Sequence, residues 1–122
     1  MILVDSSGWI EYLAARPKAD EFARYIRSDE ALVTSTIQVY EVYKVVRRDI
    51  SEERAIESVA ALRATTVVPL DESLALEAAD VSLEHGLAMA DAIILATAKR
   101  SRAQIVTGDA DFEGLPGVTL IR

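Results

Sequence analysis

The chain has 122 residues, 13 basic against 20 acidic, and a formal net charge of −7. That length fits one domain; 51% hydrophobic residues with only 5 Gly and 3 Pro exclude a disordered or fibrous chain. Zero Cys excludes disulfides, thiolate metal sites and cysteine nucleophiles, leaving oxygen donors or the lone His85 for any metal. The acidic balance argues against wide non-specific adhesion to nucleic acid, because Lys and Arg supply most of that affinity by neutralising phosphates. Met1-Ile2-Leu3-Val4-Asp5 lacks the basic start and long apolar run of a secretory signal. No apolar stretch reaches the roughly 20 residues of a bilayer span. The expectation is a cytoplasmic protein with no membrane association.

Ile2-Leu3-Val4 reads as a strand buried on both faces, and Asp5-Ser6-Ser7-Gly8 as the cap of a helix that stops near Pro17. Ala19, Phe22, Ala23 and Ile26 follow the helical period over 18–28, and Ala31-Leu32-Val33-Thr34 reads as the next strand. Ser35 can cap a third helix running to about Arg48, before a break at Asp49-Ile50-Ser51. A fourth helix, about 52–64, is expected to turn Ile56, Val59, Ala60 and Leu62 inward, ahead of the β-branched strand Thr65-Thr66-Val67-Val68. Asp71 looks like the N-cap of a helix that ends at His85-Gly86, with Gly86 left-handed. Ala90-Asp91 opens the last helix; Gln104-Ile105-Val106-Thr107 and Val118-Thr119-Leu120-Ile121 read as the fourth and fifth strands. Apolar strands separated by helices predict a single α/β domain over 1–122, with a five-stranded parallel sheet between two helical layers.

In open parallel sheets, sites form beyond the C-terminal ends of the strands. Asp5 follows the first strand and Asp109 the fourth; Asp91 lies in the first turn of a helix and points to the same end. Glu41 sits in the otherwise apolar run Val39-Tyr40-Glu41-Val42-Tyr43. Carboxylates gathered in one place repel one another, and a divalent cation reverses that cost. Hard oxygen ligands without Cys or paired His point to Mg²⁺ or Mn²⁺, and so to phosphodiester hydrolysis. Each acid also has a structural role open to it: Asp5 as a helix cap, Asp91 as a first-turn acid, Asp109 and Asp111 as turn residues, Glu41 as part of a solvated helix stripe.

Lys44 and Arg48 share the helix face of Glu41, and Lys99-Arg100 with Arg102 closes the helix opened by Asp91. Either group can touch phosphates beside a scissile bond. Alternatively, Lys44 pairs with Glu41 and the second group complements a helix C-terminus. His85 reads as a helix-end residue. Trp9, Tyr12, Phe22 and Tyr25 read as core or interface, with base stacking as the alternative.

Ile2-Leu3-Val4-Asp5-Ser6-Ser7, Thr34-Ser35 followed by Glu41, Met89-Ala90-Asp91-Ala92-Ile93-Ile94-Leu95-Ala96-Thr97-Ala98 and Ile105-Val106-Thr107-Gly108-Asp109-Ala110-Asp111-Phe112 occur in order along the chain. On this set, which covers essentially the whole chain, the sequence resembles PIN-domain ribonucleases, specifically VapC-type toxins of type II toxin–antitoxin pairs. The resemblance implies an α/β/α sandwich, a homodimer, and Mg²⁺-dependent cleavage of RNA to 5′-phosphate and 3′-hydroxyl ends. It also implies inhibition by a small VapB-type antitoxin that reaches into the acidic pocket with Arg or Lys. By the same resemblance, Asp5, Asp91 and Asp109 hold one or two metal ions and Glu41 orients an ion or the attacking water. Asp111 is a secondary candidate; Thr107 and Ser6 are hydroxyls that position an acid or water.

Two other readings fit parts of the chain. A phospho-acceptor receiver domain has similar length and an acidic Mg²⁺ pocket, but needs an Asp after the third strand and a closing helix. Here Val67-Val68-Pro69-Leu70 ends the third strand, and the chain finishes on a strand. A catalytically idle PIN-like binding module keeps the fold without the chemistry.

Overall fold

The computed structural model describes all 122 residues. The elements in order are β1 (Ile2–Val4), α1 (Ser6–Leu13), α2 (Ala19–Ile26), β2 (Val33–Ser35), α3 (Thr36–Asp49), α4 (Glu52–Arg63), β3 (Thr66–Val68), α5 (Glu72–His85), α6 (Met89–Ser101), β4 (Gln104–Thr107) and β5 (Val118–Leu120), with a 3₁₀ turn over Ala110–Phe112. The helix starts follow local chemistry. Ser35, Ser51 and Asp71 accept backbone N–H groups at the heads of α3, α4 and α5, and Gly86 closes α5 at φ +69°.

All five strands are parallel, but they do not form one continuous ladder. β1, β4 and β5 make a three-stranded sheet in the order 1-4-5, and β2 pairs with β3 separately. One bridge, Ile2 to Leu32, joins the two pieces. The reason lies in Gln38, which is fully buried. Its Nε2 donates to the Val4 carbonyl at 2.6 Å and its Oε1 accepts the Ser35 N–H at 3.0 Å. The side-chain amide thus stands between two backbone groups that a continued parallel ladder would join directly. The predicted five-stranded sheet is therefore a three-stranded sheet and a two-stranded pair.

Taken across the bridge, the strands run 3-2-1-4-5. Receiver domains order theirs 2-1-3-4-5, so the receiver reading is excluded by topology as well as by the missing acid. The chain winds outward from β1 through β3, returns through α5 and α6, and resumes at β4 on the other side of β1. The ends of β1 and β4 therefore flank the point where the winding reverses, where crevices open in such sheets.

Alternate residues feed two cores. Leu3 and Ile105 face α5 and α6, with Val33, Leu74, Ile94 and Phe112; Ile2, Val4 and Val106 face α1 to α4, with Trp9, Phe22, Val42 and Leu62. Helix α6 is buried at every position from Ala92 to Ala98, as a helix apolar all round must be. On α4 the buried stripe is Ala55, Ser58 and Leu62, while Ile56 stays 58% exposed and Ala60 is also outside. The expected inward face is thus rotated, because the small Ala55 and Ser58 side chains let α4 sit close against α3. No single helix is long and apolar enough to cross a membrane.

Gly8 fixes how α1 meets α2. A Cβ there would lie 2.5 Å and 2.6 Å from two ring atoms of Phe22 and 2.8 Å from Val4 Cγ1. Phe22 is fully buried, so its ring has nowhere to go. Gly8→Ala is expected to lower stability by about 1–3 kcal/mol of overpacking, less the ~1 kcal/mol that Ala gains in helix propensity. The midpoint of urea unfolding reads the difference.

Candidate active site

The parallel register that pairs Val4 with Val106 puts Asp5 beside Thr107, although 102 positions separate them. Asp5 is the N-cap of α1 and is buried. Its Oδ1 accepts the Ser6 N–H at 2.7 Å; its Oδ2 accepts the Thr107 hydroxyl at 2.7 Å and, more weakly, that of Ser7 at 3.3 Å. The capping role is real, and the second oxygen is held separately by the end of β4.

Asp109 follows directly. Its backbone N–H donates to Thr107 Oγ1 at 2.9 Å, and its Oδ1 accepts the Asp111 N–H at 2.9 Å, which builds the turn leaving β4. Asp91 stands in the first turn of α6. One carboxylate oxygen from each of Asp91, Asp109 and Asp111 lies within 4.8 Å of the others. Glu41, on α3, accepts the Ser6 hydroxyl at 2.7 Å, so Ser6 touches two acids: its N–H holds Asp5 and its hydroxyl holds Glu41.

Electrostatics mark the same place. Burial, above all, pushes the Asp5 carboxyl up to about 6, against the pull of Thr107 and Ser6, and Glu41 and Asp109 add repulsion. Asp91 is pushed up to about 7, by burial first and then by Asp109, Asp5, Asp111 and Glu41. Acids that repel one another this way are destabilising unless a cation offsets them. None of the five forms a salt bridge. An all-carboxylate donor set with hydroxyls behind it suits a hard divalent ion such as Mg²⁺ or Mn²⁺, and no His or Cys stands there to favour zinc.

The structure thus brings Asp5, Glu41, Asp91 and Asp109 to one end of the sheet and draws Asp111, the secondary candidate, into the tightest group. Thr107 donates its hydroxyl to Asp5, and Ser6 its hydroxyl to Glu41. Gln38 carries no signal in the sequence beyond its place in a Ser35-x-x-Gln38 capping box; only the fold shows its reach to Val4, which ties the end of β1 to the start of α3. The basic groups divide. Arg100 is engaged by Asp71, Glu77 and Ser73 across to α5, at the far end of α6 from Asp91. Arg48 is taken up by Asp49. Lys44 leaves Glu41 alone and lies over Tyr40.

The family model described as the PIN domain matches residues 2–118. This chain belongs to the PIN-domain family. Among solved structures, this PIN domain is similar to a chain of a toxin–antitoxin complex from Klebsiella pneumoniae, with 27% identity and a TM-score of 0.82 over 98% of this chain and 96% of that one. It is similar in fold to VapC20 of Mycobacterium tuberculosis, a toxin that cleaves the sarcin–ricin loop, at 20% identity and TM-score 0.80 over 97% of each chain. A chain of DNA-bound VapBC from Salmonella typhimurium shares the fold at 18% identity and TM-score 0.74, over 99% and 98% of the two chains. A comparison with curated protein sequences gives no significant match.

Proposed function

We propose that this PIN domain is a divalent-metal-dependent endoribonuclease that acts in the cytoplasm as the toxin of a type II toxin–antitoxin pair. The observation that carries the reading is the gathering of Asp91, Asp109 and Asp111 within 4.8 Å, beside buried Asp5 and with no basic partner. The likeness to chains of toxin–antitoxin complexes supports it.

Asp5, Asp91 and Asp109 would hold Mg²⁺, or Mn²⁺, with Asp111 at the open side and Glu41 orienting water. When bound, such an ion supplies Lewis-acid stabilisation of the charge that builds on the phosphoryl oxygens and a lowered pKa for water. The chain's own part is preorganisation. Thr107 and the Ser6 N–H fix both oxygens of Asp5, the Asp111 N–H fixes Asp109, and the Ser6 hydroxyl aims Glu41. Because these partners are in place in the folded chain, little reorganisation is left for the reacting complex.

The test is incubation of total RNA with antitoxin-free protein in Mg²⁺, with an EDTA control and mapping of the cut ends. Discrete cuts bearing 5′-phosphates, absent in EDTA, are expected. Intact RNA in the presence of folded, Mg²⁺-binding protein would favour the idle binding module instead. Recovery of a small protein partner from the native host tests the antitoxin.

A homodimer is part of the same proposal, and the outer face of α5 supports it. Leu76 is 64% exposed and Leu83 87%, on one stripe with Ala79, and Met89, 74% exposed, borders the same face. Apolar side chains grouped like this are costly to leave in water. Each Leu that a symmetric interface buries counts twice, once per copy. Leu83→Lys is therefore expected to weaken dimerisation by roughly 100-fold or more, at ~1.5–3 kcal/mol for each leucine. Sedimentation equilibrium measures it; an unchanged monomer–dimer constant places the interface elsewhere.

A further inference from the structure

RNA must be brought to a site that repels it. Five carboxylates surround the proposed scissile position and the chain as a whole is negative, so the attraction has to come from surface beside the site. Helix α3 carries Glu41 at that site and then leads away from it. Tyr40, Tyr43, Lys44, Arg47 and Arg48 line an open depression of about 580 Å³ along its outer side.

The members of this stripe differ in what they are free to do. Tyr40 is 59% exposed. The Lys44 ammonium sits 5.4 Å from its centroid and 3.4 Å from its hydroxyl, with no carboxylate in reach. Arg47 has only a long contact, 3.8 Å, to exposed Glu52. Arg48 is bound in two places by Asp49, which also takes Arg16, and so is committed to its own fold. At about 1.5 Å rise per residue, Lys44 stands about 4.5 Å and Arg47 about 9 Å beyond Glu41 along the axis.

We infer that this face of α3 is the track on which single-stranded RNA enters the acidic site, with Tyr40 stacking the base next to the cut and Lys44 and Arg47 holding successive phosphates. An exposed ring offers a face that any base can use, and Lys44, held by no acid, and Arg47, held only by one long exposed contact, can exchange their counterions for phosphates. Tyr40, Lys44 and Arg47 are positioning residues, not catalytic ones. The inference rests on the ribonuclease reading, and it adds residues and a direction of approach to it.

The experiment measures binding of a fluorescent single-stranded RNA to the full chain in EDTA over a range of salt, and separately kcat and KM for cleavage in Mg²⁺. Tyr40→Ala should weaken binding about 5-fold or more while Tyr40→Phe, which keeps the ring, binds as wild type. Lys44→Gln and Arg47→Gln should each lower the slope of log affinity against log salt by about 0.7. In Mg²⁺ these variants should raise KM and leave kcat within about twofold. Arg24→Gln, on the exposed surface of α2, is the control and should change nothing. Variants that bind with wild-type affinity and slope, or that lose dimerisation in sedimentation, overturn the track while leaving the nuclease standing. RNA that binds through Tyr40 and Lys44 but is never cut supports the track and defeats the nuclease. RNA that neither binds nor is cut defeats both.

Discussion

Asp91→Asn is expected to leave a folded protein that cuts RNA at least about 100-fold more slowly than wild type, because even partners one shell behind a metal ligand are worth 10–100-fold. The substitution keeps the size of the side chain and removes one of the three carboxylates that approach within 4.8 Å. What separates a metal-site role from a structural one is the second half of the result. Asp91 as a mere first-turn acid would stabilise α6 through the helix dipole, and its loss would lower the unfolding temperature. Asp91 as one of several repelling acids is held up to about 7, so the amide should raise the stability of the metal-free protein. A variant with wild-type cleavage rate, or with lower stability in EDTA, counts against the assignment. Calorimetric titration with Mg²⁺ supplies a third reading: the apparent affinity should fall with the activity.

The second large effect is on pH and metal. The Asp5 carboxyl titrates near 3.8 when unconstrained and at about 6 in the fold; Asp91 moves from the same value to about 7. Between those limits the folded chain binds more protons than the unfolded one, so stability falls as pH rises and the penalty is complete only above about 7. The sign is opposite to that of an acid held in a salt bridge. Asp5, being buried, accounts for on the order of 2–3 kcal/mol; Asp91 adds less, because half of its surroundings are solvent. Thermal unfolding in EDTA should therefore drop by roughly 10 °C between about pH 5 and pH 8. Asp5→Asn should remove much of that slope, which isolates this carboxyl from the rest of the chain. Millimolar Mg²⁺ should restore the wild-type midpoint at the higher pH and do less at the lower, since cation and proton compete for the same oxygens. A metal-free protein that grows more stable toward pH 8 would show these carboxyls to be satisfied by something other than a cation.

Both outcomes depend on the same construction. Asp5 is held through Thr107 and Ser6, Ser6 also holds Glu41, and Gln38 ties the end of β1 to the head of α3. The acids repel, yet each sits on a backbone element that leaves it little room to retreat. The core stabilises the fold and the strand ends carry the electrostatic cost, a division in which part of the stability provided by one region is given up at a functional one.

The sequence by itself determined the element types, most of their boundaries and the end of the sheet where the acids fall. These follow from signals a few residues long: the apolar runs of β1 and β4, the caps Asp5, Ser35 and Asp71, the left-handed Gly86, and an α6 apolar on every side. Such signals act through neighbours in the chain, so they are written there. Tertiary structure decided the rest. Thr107 meets Asp5 only because β1 and β4 pair in register. The sheet divides because a buried amide enters between strands, a choice that depends on which way Gln38 turns. Ile56 points outward because small residues let two helices approach, and Asp49 takes Arg16 from 33 positions away. Each of these is settled by which surfaces come within a few ångströms of one another, and packing sets that across distances in sequence that no local pattern spans.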